Sequence, residues 1–116
     1  PKIETLRKAI EKCREEKVDF LLAVGGGSVL DGTKLIAAAV NYQGDAWELV
    51  LKGHHFESVL PFAAVMTLPA TGSEMNNGAV ISSVEKTEKF AFYTNYPQFS
   101  ILDPEATFSL PPFQVD

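Results

Sequence analysis

Cysteine is almost absent from this sequence. Cys13 stands alone, so no internal disulfide can form, and a single thiol suits a reducing, cytoplasmic compartment. Histidine is scarce as well: His54 and His55 are adjacent in the polar stretch "KGHHFES". Neighbouring side chains project in different directions, and no carboxylate or cysteine cluster accompanies this pair at ligand spacing, so it reads as solvated loop rather than metal site. Positive charge is short: a net charge of −5 lacks the basic footprint that nucleic acid or an acidic membrane surface would need. No apolar run approaches the length of a membrane span. No basic leader with an apolar centre precedes the first helical pattern, so no secretory signal is expected. Internal repeats and low-complexity segments are also missing.

What remains is material for one small domain: 116 residues, 46% of them hydrophobic. Ile3, Leu6, Ile10 and Cys13 recur at spacings of three and four among charged residues, which predicts a surface helix with one apolar stripe. "VDFLLAV" (18–24) is short, apolar and stopped by glycine, as a strand covered on both faces would be. Residues 28–40 return to helical character with Gly32, Ala37, Ala38 and Ala39, small enough for close packing on a sheet. Asp45 and Glu48 have capping-box spacing at the head of a short helix. "LPFAAVMTLP" predicts a second buried strand, "GAVISSV" and "KFAFYT" an antiparallel hairpin, and "PQFSILDP" a third strand. "SLPP" prepares a further helix start. This order implies an α/β fold: a partial Rossmann-like, doubly wound and mainly parallel domain with a β-hairpin. The first helix lacks the strand that should precede it, and both ends are abrupt, so a piece of a longer protein is expected.

"LLAVGGGSVLDGTK" (21–34) raises the first functional question. Three consecutive glycines between a strand and a helix exceed what an ordinary turn needs. A strand, a glycine turn and a helix N-terminus together form an anion site, where unpaired N–H groups and the positive end of the helix dipole face the ligand. Ser28 could cap the helix and add a hydroxyl. Two common fingerprints fail here. G-x-G-x-x-G meets Leu30 at its third glycine, and G-x-x-x-x-G-K-[ST] finds Thr33 before Lys34 in the wrong order. Lys34 lies two turns on and is expected to point away from a phosphate. The bland alternative is a tight connection whose capping box pairs Ser28 with Asp31. Asp31 would be welcomed by the dipole but would repel a phosphate directly against it, so it faces a neutral part of a ligand or completes the cap.

"TLPATGSEMNNGA" (67–79) follows the second strand and concentrates Thr71, Ser73 and Asn76 on one loop. In open α/β sheets ligands bind beyond the carboxyl ends of the strands, and both polar loops leave from that edge. Thr71 and Glu74 also have capping-box spacing, so a plain helical turn is the competing reading.

Taken together, "GGGSVLDGTK", "LPATGSE", a "KFAF"-type strand and "LDPEATFSLPP" resemble the iron-containing (group III) alcohol dehydrogenases, especially the butanol-dehydrogenase and aldehyde-reductase branch, over essentially the whole chain. The resemblance implies a two-domain enzyme with an N-terminal nucleotide-binding α/β domain, of which residues 1–116 form part, and a helical metal-binding domain outside this sequence. It implies NAD or NADP as cofactor, a divalent metal (iron or zinc), a small alcohol or aldehyde as substrate, and a homo-oligomer. By resemblance, Gly26, Gly27 and Ser28 form the pyrophosphate turn, and Asp31 lies near the nicotinamide end. Thr67, Thr71 and Ser73 line the adenosine and nicotinamide ribose sites, and Lys89 hydrogen-bonds a cofactor ribose. Thr107 and Leu110 pack around the adenine end. The family's metal ligands, an aspartate and three histidines, fall downstream of the "LPP" segment, and Asp116 follows that segment too soon to be one. No catalytic and no metal-binding residue is therefore expected here, and the strand and turn that help select the cofactor's 2′-phosphate should precede Pro1. Two other readings stay open: a mononucleotide- or ATP-binding module, and a non-catalytic interaction module suggested by the aromatic-rich final third. In that third, Phe90, Phe92, Tyr93, Tyr96 and Phe99 read as core or interface. Lys86, Glu88 and Lys89 are ordinary hairpin-turn charges unless the resemblance applies.

Overall fold

The computed structural model describes residues 1–66, 77–83 and 88–102. Helix α1 (Ile3–Glu15) buries the stripe read from the sequence: Ile3, Leu6, Ile10 and Cys13 all face the core. It ends in a Schellman closure, with Val18 N–H donating to Cys13 O and Lys17 N–H to Arg14 O. Lys17 takes the left-handed position at φ 54°, where glycine is usual. Residues 16–18 are consumed by that closure, so strand β1 (Leu21–Gly25) starts three residues later than the apolar run suggested.

Helix α2 (Gly27–Ala39) and helix α3 (Ala46–Lys52) follow, then strand β2 (Phe62–Met66), the hairpin β3 (Gly78–Ser83) and β4 (Glu88–Tyr93), and strand β5 (Ser100–Leu102). The strands β1, β2 and β5 form a parallel sheet in the order β1-β2-β5, and β3 pairs with β4 and, by a single bridge from Ser82, with Lys2 ahead of α1. The expected α/β architecture with a parallel sheet and a hairpin is what forms. The third strand is shorter than expected, and the helix start expected at "SLPP" lies outside the described residues.

Every residue of β2 is buried, as a central parallel strand requires. Residues 32–39 of α2 and its C-cap Val40 are all buried. Its alanines pack in the core, but Gly32 serves helix–helix contact: a Cβ there would stand 2.9 Å from Leu6 Cδ2 of α1. The far end of α2 is held by Arg14, whose guanidinium donates to the carbonyls of Ala39 (2.8 Å), Val40 (3.0 Å) and Tyr42 (2.8 Å). These acceptors lie at and just beyond the helix C-terminus, where carbonyls lack helical partners and a cation suits the dipole. The α3 capping box forms as read: Asp45 accepts from Trp47 N–H, and the Glu48 side chain accepts from Asp45 N–H. Asp45 also receives a bidentate hydrogen bond from Arg7 at 2.9 and 2.8 Å, joining α1 to α3.

Two expectations follow. Arg14→Ala strips charge-assisted hydrogen bonds from the end of α2 and should cost about 1–3 kcal/mol, with Arg14→Lys recovering only part because its ammonium cannot fork; chemical denaturation of both variants measures this. The Arg7 guanidinium holds the Asp45 carboxyl below its ordinary range, with the helix-cap amides adding to the effect. A depressed native pKa means the unfolded chain binds the proton first on acidification. The Asp45 contribution is therefore present above the usual carboxylate range and lost as pH falls through the lowered value. Asp45→Asn should flatten the acid limb of a melting-temperature against pH profile, and an unchanged limb would refute this.

Candidate functional site

The parallel register sets the site. Gly25 pairs with Met66, and Met66 with Leu102, so all three strands end level with one another at a single edge of the sheet. From Gly25 the chain enters α2 through one residue. Gly25 has φ +145°, a conformation that L side chains rarely adopt, and a Cβ there would approach Val29 Cγ2 to 3.1 Å. Gly26 is the helix N-cap, and the first intrahelical bond runs from Leu30 N–H to Gly26 O at 3.3 Å. The N–H groups of Gly27, Ser28 and Val29 thus precede the α2 ladder at the positive end of the helix.

This differs from the bland sequence alternative. The cap has no side-chain hydrogen bond, so the Ser28–Asp31 capping box does not form; Ser28 is instead an exposed residue inside the first turn. The reason is that the helix begins at Gly27 with Gly26 as its N-cap, two residues earlier than the box requires, which carries Ser28 past the capping position. Asp31 is carried beyond the first turn as well, and no acidic residue lies in that turn. Its Oδ2 accepts from Val80 N–H of the hairpin at 3.3 Å.

The arrangement fits an anion. Among the described residues, a Cβ at Gly26 would meet no atom within 4 Å, so these residues leave the space over the N-cap open. Beside it lies a cleft of about 250 Å³, walled by Pro1, Lys2, Thr5 and Leu6 on one side and by Ser28, Val29 and Gly32 on the other. A phosphate could approach the backbone here without meeting a side chain at Gly26, in the setting that helix N-termini provide for phosphates.

Of the other sequence-derived residues, Lys89 is exposed on β4, opposite Ser82 of β3. The hairpin packs on α2 through β3 and on α3 through β4, so a strand intervenes between Lys89 and α2. Thr67, Thr71, Ser73, Thr107 and Leu110 lie outside the described residues. Lys34 is buried and points toward the hairpin, where its Nζ donates to Gly78 O at 2.8 Å. Composition hides this residue, although a lysine inside the small-residue run "GTKLIAAA" is the one sequence signal that could have exposed it.

The remaining candidates take ordinary roles. Cys13 is buried, and burial pushes its thiol above the ordinary range, as expected of a small hydrophobe. His54 stacks on Phe56, and His55 meets Tyr42 edge-on. Among the described residues no three His, Cys, Asp or Glu are grouped so as to hold a metal ion, and no helix is long and apolar enough to cross a membrane. Of the late aromatics among the described residues only Phe92 is core; Phe90, Tyr93, Tyr96 and Phe99 are exposed.

Comparison with known proteins places this geometry. The family model for iron-containing alcohol dehydrogenases matches residues 1–104. The chain belongs to that family. It is 56% identical over 113 residues to a probable NADH-dependent butanol dehydrogenase of Bacillus subtilis, covering 96% of this chain and 29% of that protein. It is 53% identical over 120 residues to the NADPH-dependent aldehyde reductase YqhD of Escherichia coli, covering 99% of this chain and 31% of that protein. Among solved structures, the NADH-dependent butanol dehydrogenase A of Thermotoga maritima superposes with a TM-score of 0.85 at 41% identity, over 96% of this chain and 28% of that one. These relatives lie in the butanol-dehydrogenase and aldehyde-reductase branch of the iron-containing family, and the chain spans about 30% of their length.

The strained backbone at Gly25 gives a test of the turn. Gly25→Ala should destabilise the protein by about 1–3 kcal/mol, since a side chain must adopt a glycine conformation while pressing on Val29. Denaturant titration of the variant checks this, and wild-type stability would show that the turn relaxes freely.

Proposed function

We propose that residues 1–116 are part of the N-terminal NAD(P)-binding domain of a metal-dependent alcohol dehydrogenase or aldehyde reductase. What carries the reading is the open N-cap at Gly26, at the carboxyl edge of a parallel sheet in a chain of this family. The N–H groups at Gly27 and Ser28 would hold the cofactor's pyrophosphate, with the α2 dipole favouring its charge. Asp31, held beyond the first turn, leaves the pyrophosphate free of a facing carboxylate and suits the nicotinamide end, whose ring is neutral when reduced and cationic when oxidised. In the same reading Thr67, Thr71 and Ser73, continuing from the end of β2, line the ribose sites; Lys89 reaches a ribose; and Thr107 and Leu110, continuing from β5, pack at the adenine end.

Bound nicotinamide supplies the hydride acceptor or donor for a small alcohol or aldehyde, and this segment binds and orients it. The divalent metal, iron or zinc, and its ligands belong to a helical domain outside these residues. A homo-oligomer in the cytoplasm completes the proposal.

Gly26→Val tests it sharply. The φ of −91° and ψ of −172° at Gly26 accept any residue, and the added side chain meets no atom of the described residues, so the fold should be retained while the phosphate approach is blocked. Titration with NADH and NADPH, followed by nicotinamide fluorescence, should show affinity reduced by at least about tenfold in the variant at unchanged melting temperature. ATP should fail to displace the dinucleotide at comparable concentration. Wild-type affinity in Gly26→Val, or stronger binding of ATP, would overturn the proposal.

A further inference from the structure

Helix α2 meets the hairpin through two charged side chains one helical turn apart. Lys34 Nζ donates to Gly78 O at 2.8 Å, and Asp31 Oδ2 accepts from Val80 N–H at 3.3 Å. Gly78 and Val80 are alternate residues of β3, and the groups they offer lie along the strand edge turned away from β4. The next alternate residue, Ser82, donates its N–H to Pro1 O at 2.9 Å. The outward edge of β3 is thus occupied in sequence by Lys34, Asp31 and the backbone of Pro1. Among the described residues no strand pairing links the hairpin to the parallel sheet. A two-stranded ribbon gains little stability alone, so its placement comes from this edge, from the backbone bonds of Tyr93 to Gly53 and His55 at the β4 edge, and from the burial of Ala79, Ile81 and Phe92.

Lys34 is the unusual member. Its side chain is 0% exposed, and an ammonium removed from water is costly unless its hydrogen bonds are made by protein. An apolar side chain of similar length would fill the same space without that cost, so packing alone gives no reason for a lysine. What a lysine adds is direction: its ammonium fixes the carbonyl at the start of β3, and so the level at which the hairpin sits along α2.

We propose that Lys34 is a positioning residue for the cofactor site. It acts through the hairpin: with Gly78 anchored, Val80 N–H is presented to Asp31. The Asp31 carboxylate is then held beside β3, beyond the first turn of α2, where it does not oppose an anion at Gly26–Ser28. This inference rests on the reading of that turn as the pyrophosphate site, and it assigns to a buried cation, remote from the ligand, control over the charge the ligand meets.

The experiment uses the complete enzyme that carries this segment, with Lys34→Met. The cofactor KM should rise about tenfold, while kcat at saturating cofactor and the KM for the alcohol change less than about twofold. In hydrogen exchange, the amides of 78–83 should lose protection while those of 21–24 keep theirs, a pattern that general destabilisation would not produce. Unchanged protection in 78–83, or lost protection with an unchanged cofactor KM, overturns the proposal. Should Lys34→Met fail to fold, Val80→Pro removes the amide offered to Asp31 and fixes φ at a half-exposed position whose N–H faces away from β4, where a strand tolerates proline. It should raise the cofactor KM by at least about threefold, and an unchanged KM there is equally fatal. The underlying cofactor reading fails by a different variant: Gly26→Val with wild-type affinity overturns it whatever Lys34→Met does.

Discussion

The complete burial of the middle and end of α2 is the constraint on which the rest depends. That helix touches the parallel sheet on one side and α1, α3 and β3 around the remainder. A helix enclosed in this way must have small residues where neighbours come close, must have its terminal carbonyls answered by protein, and must place any charge it carries against a fixed partner. Gly32 against Leu6, Arg14 on the last carbonyls, and Lys34 on Gly78 meet those three demands in turn. The glycine turn gains its geometry from the same enclosure, because a helix held on all sides fixes the direction in which its first amides point.

Local sequence carried the architecture well. The stripe of α1, the apolar run of β2, the hairpin and the Asp45–Glu48 box were each legible because a short window contains the physics that makes them: periodicity, continuous burial, alternation, and a side chain within reach of its own helix start. Where the reading went astray, the missing information was not local. Glycine normally marks the left-handed end of a helix, so Lys17 in that role concealed the closure of α1 and made β1 look longer than it is. Ser28 and Asp31 have capping-box spacing, yet a helix that begins at Gly27 leaves the box no position to occupy.

The candidate site divides along the same line. Its glycine turn could be read from a strand, three glycines and a helix, all contiguous. The family followed from several motifs in order. Asp31 and Lys34 gain their meaning only from β3, more than forty residues away in sequence, and no spacing rule on α2 announces Val80 or Gly78 as partners. Arg14 is similar: on α1 it is one more charge on a polar face, and only the packed helix pair reveals the carbonyls it serves.

The level endings of β1, β2 and β5 also bear on how such a chain can change over time. Since Gly25, Met66 and Leu102 share one register line, inserting or deleting a residue within β1 or β2 would move its exit by about 3.3 Å along the sheet and turn its inward side chains outward. A change of length is therefore better accommodated in a connection, such as residues 53–61 leading into β2, than inside either strand. An insertion there would leave the register line that carries the glycine turn where it is.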